Sequence, residues 1–177
     1  MHPKNAFKYC PSCGNAGLNF HDDGGYLKCD KCGFQFFINE GGAVAAIIQD
    51  EESKILFTKR AKAPAKGKLD LPGGFVDLGE TAEHALEREI SEELNIRLSD
   101  YTYFMSQPNT YTYNGLTYFT LDLAFICKAK SFKNMKALDD ISDVSFIHPA
   151  KVNLNEIGLD SIKNIIREFV LNPENKA

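Results

Sequence analysis

Gly73-Gly74-Phe75-Val76-Asp77-Leu78-Gly79-Glu80, followed after seven residues by Arg88-Glu89-Ile90-Ser91-Glu92-Glu93-Leu94-Asn95-Ile96, is the stretch that decides how this chain folds. A glycine-bearing loop leads into a helix with more negative charge than a solvated element needs. From Glu80 to Arg97 the charged residues are Glu80, Glu83, Glu87, Glu89, Glu92 and Glu93 against Arg88 and Arg97. A surface helix would interleave lysines at i+4, each pair contributing a few tenths of a kcal/mol. Glu92 and Glu93 also lie near the C-terminal end, where the helix dipole disfavours anions.

The direction of these side chains matters more than their number. At 3.6 residues per turn, Ala82, Ala85, Leu86, Ile90 and Leu94 form an apolar stripe. Glu89 follows Ala85 by four, and Glu93 follows Leu86 by seven and Ile90 by three. Both carboxylates therefore project from, or beside, the inward face, and Glu92 flanks them. Carboxylates about 4 Å apart repel by roughly 1 to 4 kcal/mol, and one arginine offsets too little of that. A hard divalent cation, Mg²⁺ or Mn²⁺, suits an all-oxygen cluster of this kind.

The run from Gly74 through Glu80 to Ile96 resembles the box of the Nudix hydrolases. It meets every position of that pattern but one, Asn95, where the family has glycine. Asn is the usual substitute for Gly in the left-handed conformation that follows a helix. The resemblance implies an α/β fold, the Nudix α/β/α sandwich with a mixed sheet. It also implies hydrolysis of a nucleoside diphosphate linked to another moiety, by water attack on phosphorus. Carried over by position, Glu89, Glu92, Glu93 and the Gly73 carbonyl would hold Mg²⁺ or Mn²⁺. Arg88 would orient a carboxylate, and Glu80 would support the loop or a further ion. The general base is open between a helix glutamate, which we favour, and an acid of the loop Leu138-Asp139-Asp140-Ile141-Ser142-Asp143.

Over all 177 residues, 44% are hydrophobic and the net charge is −4. That content supports one good core and a small appendage, and the charge speaks against nucleic-acid backbone binding as the main task. No apolar run approaches the ~20 residues that span a bilayer. The start lacks the apolar core of a signal peptide, so the expectation is a cytoplasmic protein.

Residues 1–40 form a separate unit in this reading. Cys10-Pro11-Ser12-Cys13 and Cys29-Asp30-Lys31-Cys32 are two CxxC knuckles at the spacing of a four-thiolate zinc site. The stretches 18–21 and 26–28 read as a hairpin across Asp22-Asp23-Gly24-Gly25. The unit resembles a zinc ribbon whose metal supplies much of its stability. Its charges cancel (Lys4, Lys8, Lys28 and Lys31 against Asp22, Asp23, Asp30 and Glu40), which favours structural support over nucleic-acid contact. Its aromatic residues exceed what so small a ribbon buries, which points to packing on the larger domain or in a homodimer.

Residues 41–177 then form the larger domain. Gly41-Gly42 reads as a hinge and 43–48 as a strand buried on both faces. A second strand, 54–60, ends in Lys59 and Arg60, candidates for substrate phosphate contacts or an ordinary solvated strand end. Beyond the helix, 101–106 alternates as a strand, Asn114-Gly115 turns a hairpin, and 120–127 continues as a core strand. Cys127 reads as a small buried hydrophobe. Residues 143–147 look like a last strand, and 160–170 an amphipathic helix.

Ribbon followed by box is the order found in the NADH pyrophosphatases, which the chain resembles as a branch of the family. Ser106-Gln107-Pro108 matches their specificity run, and Asn109-Thr110-Tyr111 departs from it. The long domain that those enzymes carry before the ribbon is lacking here. A dinucleotide such as NAD(H), or an ADP-sugar, is the expected small-molecule substrate, with Gln107, Tyr111 and Tyr113 as candidate contacts. Two other classes compete: a Nudix-fold sensor that binds a nucleotide without cleaving it, and an adaptor whose ribbon binds a partner.

Overall fold

The structure is a computed structural model and describes residues 1–172. Close contacts divide it into two compact units. The first comprises Met1–Gly41 with Thr110–Phe119; the second comprises Gly42–Asn109 with the described residues from Thr120 onward. No helix of the described residues is long and apolar enough to cross a membrane.

In the first unit, β1 (Leu18–His21), β2 (Tyr26–Cys29) and β3 (Gln35–Phe37) pair antiparallel in that order. The Gly24-Gly25 turn closes the hairpin, with Gly25 in the left-handed region that glycine tolerates best. Leu27 and Cys29, alternate residues of β2, are buried, and Phe36 and Phe37 on the edge strand remain exposed.

The second unit is built on β4 (Gly41–Ile48), whose alternate residues serve two cores. Val44, Ala46 and Ile48 pack with Ala85, Leu86, Ile90 and Leu94 of α1 (Ala82–Leu94). Ala45 and Ile47 pack with Ile162, Ile165, Ile166 and Phe169 of α2 (Asp160–Leu171). A strand with an apolar cluster on each face, and a helix in each cluster, is the α/β/α sandwich. Such a strand must read as a continuous apolar run rather than an alternating one, as 43–48 does.

The remaining strands are β5 (Ile55–Arg60), β6 (Leu69–Asp70), β7 (Leu98–Tyr113), β8 (Leu116–Ala129) and β9 (Ile141–Ile147). They form sheets in the orders β4-β8-β7 and β6-β5-β9. β5 runs antiparallel to β6 and β9, and the Leu69–Ile157 bridge is parallel, so strand directions are mixed.

Three expectations need correction. Gly41-Gly42, expected as a hinge, lies inside β4, although the boundary between the two units falls between the two residues, and Gly42 packs against the Val76 side chain. The strand 101–106 and the arm that enters the Asn114-Gly115 hairpin are one strand, Leu98–Tyr113, while the arm that leaves it continues through 120–127 as expected. β7 tolerates Pro108 because it lies at the sheet edge, where a missing amide hydrogen costs no ladder bond. The last strand starts at Ile141 rather than 143.

Candidate functional site

Helix α1 is anchored at both ends by its own sequence. Thr81 caps it by accepting from the His84 amide at 3.2 Å. At the other end Asn95 adopts φ 53°, ψ 36°, the left-handed cap expected from the sequence. Asparagine also does something glycine could not: its side-chain amide donates to the Asn134 carbonyl at 3.0 Å.

Ahead of the helix, the loop 70–76 is laid against β4. The amides of Val44 and Ala46 donate to the carbonyls of Gly74 and Pro72 at 2.8 and 2.9 Å. Gly73 has φ 145°, and a Cβ there would meet the Val44 carbonyl oxygen at 2.0 Å. Its glycine is therefore demanded by packing on β4, a reason that the sequence did not suggest. A Cβ on Gly74 would lie 2.4 Å from a Glu89 carboxylate oxygen, so the second glycine keeps space beside that acid.

Arg88 organises the acids. Its Nε and Nη2 donate to the two Glu80 oxygens at 3.0 and 2.8 Å, a bidentate pair. Nη2 also donates to the Phe75 carbonyl at 2.9 Å, and Nη1 to Glu89 at 2.8 Å and Glu92 at 3.3 Å. One guanidinium thus clamps the loop onto the helix and reaches two of the expected metal ligands. The Arg88 contact, first among several, holds Glu80 below the usual carboxylate range.

Among the described residues Glu93 has no such cation. Its Oε2 accepts from the Gly73 amide at 2.9 Å. Burial pushes its carboxyl up to about 8 despite that hydrogen bond, with Glu89, Asp70 and Asp139 adding repulsion. Burial also raises Glu89; Arg88 opposes the rise, and Glu92 and Asp139 reinforce it. Among the described residues the four cysteines are the group whose ligand atoms all lie within 4.8 Å of one another. The donor set of Glu89, Glu92 and Glu93, all oxygen and with two raised carboxyls, fits a hard oxygen-seeking cation.

Of the loop acids, Asp139 is the one whose charge is felt at both Glu89 and Glu93. The Leu138 amide ties that loop to the Glu93 carbonyl at 2.9 Å. Asp140 pairs with Lys62, and Asp143 accepts from its neighbour's amide.

The expected substrate contacts separate. Arg60 is turned to structural use: Nη1 donates to Asp70 at 2.5 Å and Nε to the Pro64 carbonyl at 2.6 Å. Lys59, with Lys66, Lys68, Asp143 and Glu156, borders a cavity of about 460 Å³. That cavity is floored by Leu69 and Ile147, which pack on the α2-side core. Gln107 is half-buried in β7. Tyr111 and Tyr113 belong to the first unit, where Tyr111 stacks on Tyr118 at 5.6 Å between centroids.

In that unit, Cys10 Sγ lies 3.7 Å from Cys32 Sγ, and Cys13 Sγ 3.7 Å from Cys29 Sγ. Disulfide sulfurs would be about 2.05 Å apart. A tetrahedron with ~2.3 Å metal–sulfur bonds has edges of about 3.8 Å, close to these two separations, and all four sulfurs lie within 4.8 Å of one another. The amides of Gly14 and Gly33, both in left-handed conformation, close the knuckles onto the Cys10 and Cys29 carbonyls. The Cys32 amide, then that of Lys31, points at the Cys29 sulfur and helps to lower its thiol to about 6.

Set beside known proteins, residues 40–169 match the NUDIX domain model. The NAD-capped RNA hydrolase NudC of Haemophilus influenzae (strain PittGG) is 30% identical over 116 residues, 65% of this chain and 44% of that one. An ADP-ribose pyrophosphatase of Methanocaldococcus jannaschii is 44% identical over 69 residues, 39% of this chain and 40% of that one. The chain thus spans less than half the length of these relatives. A NUDIX hydrolase from Nitrosomonas europaea has the same fold, with a TM-score of 0.68 at 24% identity over 93% of this chain and 91% of that one.

Proposed function

The chain belongs to the Nudix family, and from that premise we propose that it is a divalent-metal-dependent pyrophosphohydrolase cleaving a nucleoside diphosphate linked to another moiety. The observation that carries this reading is Glu93. It is a carboxylate raised by burial, held by a backbone amide and given no cation of its own, beside a second raised acid, Glu89. A fold gains nothing in stability from such a pair, so its use lies in what it attracts.

Glu89, Glu92, Glu93 and the Gly73 carbonyl would hold Mg²⁺ or Mn²⁺. When bound, the ion supplies charge neutralisation on the diphosphate and a more acidic water. Arg88 keeps loop and helix in register and limits repulsion among Glu80, Glu89 and Glu92. In the reaction the water oxygen forms a bond to phosphorus and the anhydride P–O bond breaks, the leaving group departing as a phosphate. The water proton goes to a carboxylate, for which we choose a helix glutamate over Asp139. Cys10, Cys13, Cys29 and Cys32 would hold a structural Zn²⁺.

The similarity to NudC and to an ADP-ribose pyrophosphatase favours a dinucleotide such as NAD(H) or an ADP-sugar as substrate. Gln107, Tyr111, Tyr113 and Lys59 remain candidate contacts, and Arg60 is left to its bond with Asp70. The test is turnover of purified protein with Mn²⁺ against dinucleotides, ADP-sugars and nucleoside triphosphates. AMP released from one of the first two classes, and lost in Glu93→Gln, is the expected result. Tight binding of every candidate without product would instead mark a sensor.

A further inference from the structure

Asp70 is one of two buried carboxylates that the mechanism leaves unused, with Asp122. It is 6% exposed, one strand end away from the loop that carries Gly73 and Gly74. Three bonds fix it. Its Oδ2 accepts from Arg60 at 2.5 Å, its Oδ1 from the Leu71 amide at 2.9 Å, and its carbonyl from the Thr58 hydroxyl at 3.3 Å. Arg60 is braced in turn by the Pro64 carbonyl. From Asp70 the chain continues through Pro72, bonded to β4, to the Gly73 amide that holds Glu93.

For stability alone this arrangement is a poor choice. Asp122, a second buried acid, holds Ser161 at 2.5 Å and Thr120 at 2.7 Å, and its charge acts against Asp70. Asp70 in turn acts against Glu93. Hydrophobic residues of similar volume in place of a buried ion pair are often neutral or stabilising.

We propose that the Arg60–Asp70 pair is a positioning device for the divalent-ion site, with Asp70 fixing the strand end that leads into the Gly73 backbone. The inference rests on the metal-dependent reading above and extends it to residues outside the box. Groups bonded directly to metal ligands are typically worth about 10–100-fold in metal affinity or activity. Asp70 acts on Glu93 one step further out, through the backbone to the Gly73 amide, so the low end of that range is expected.

The experiment compares wild type, Asp70→Asn and the double variant Arg60→Met/Asp70→Leu, measuring Mn²⁺ affinity by electron paramagnetic resonance, thermal midpoint and turnover. The double variant is expected to keep or raise the midpoint and yet lose at least about tenfold in Mn²⁺ affinity. Asp70→Asn, nearly isosteric, should lose Mn²⁺ affinity in the same direction and should also melt earlier. A double variant with wild-type midpoint and wild-type Mn²⁺ affinity would reduce the pair to ordinary packing and overturn the proposal. Should the double variant fail to fold, undiminished Mn²⁺ affinity in Asp70→Asn overturns it equally. A wild type that binds Mn²⁺ and turns over no substrate would break the catalytic reading and leave this result standing.

Discussion

The four cysteines and the three helix glutamates are both gatherings of metal-binding side chains, and they face opposite electrostatic problems. An ordinary thiol keeps its proton at neutral pH. Of one close pair, the Cys13 thiol is pushed up to about 12 while that of Cys29 is lowered to about 6. The sulfurs thus sit 3.7 Å apart in two pairs with little mutual repulsion. Carboxylates ordinarily ionise well below neutral pH, and so repel one another when gathered. The protein therefore keeps Glu89 and Glu92 on Arg88 and buries Glu93 against a backbone amide, where its carboxyl is raised to about 8. The first site is assembled by its ligands; the second is held together by what surrounds them. Removing metal should therefore damage the two in different ways.

The largest effect belongs to the ribbon. Structural zinc in such small units contributes on the order of 10 kcal/mol, more than three short strands can supply. Prolonged chelation, or Cys13→Ser, is expected to collapse the amide resonance dispersion of residues 1–41. Stabilisation of the second unit by Mn²⁺ should persist. A ribbon that kept its dispersed spectrum with less than one zinc per chain would abolish the contrast.

At the acid site the corresponding change is chemical. Glu93→Gln retains an oxygen for the Gly73 amide and deletes the charge. Turnover should fall by more than about a hundredfold, beyond what outer-sphere residues cost. The midpoint without metal should stay level or rise, because a raised carboxylate has been removed. A large drop in midpoint would mean that Glu93 supports the fold.

This contrast also separates what the sequence disclosed from what it hid. The inward register of Glu89 and Glu93 follows from Ala82, Ala85, Leu86, Ile90 and Leu94 recurring at helical spacing, and those residues do line the core. The left-handed Asn95 and the cysteine knuckles are equally local, each written within a few residues. Asp70 and Arg60 were not legible as a pair, since neither period nor motif reports that a turn-forming acid is buried against a neighbouring strand. The clustering of residues 110–119 with the amino-terminal unit depends on contacts between stretches about a hundred residues apart. The continuous β7 was obscured by Pro108, which only edge position makes acceptable.

A smaller effect comes from pH. The Glu93 carboxyl is raised from 4.5 to about 8, so the folded ion-free protein holds that proton more tightly than the unfolded chain. Its favourable contribution is complete below about 4.5 and is lost as pH rises through about 8. Without metal, the midpoint should therefore decline across that window by an amount worth at most a few kcal/mol. Because Mn²⁺ selects the ionised form, the shift in midpoint that it produces should grow with pH over the same range. Glu93→Gln should flatten both trends, and persistence of the slope in that variant would assign it to another group.

The fifth cysteine sharpens the comparison with a single thiol. Cys127 is 1% exposed in the α1-side core, and burial pushes its thiol up to about 12. The thiolate is the reactive form, so a buried thiol of this kind is inert until the core opens. With zinc bound, a thiol reagent at neutral pH should label none of the five cysteines rapidly. After chelation Cys10, Cys13, Cys29 and Cys32 should react in one fast phase, and Cys127 should wait for denaturant. Mass mapping of the label checks the order. Early modification of Cys127 would mean that losing the ribbon metal also opens the core beside α1, and the independence attributed to the two sites would be lost.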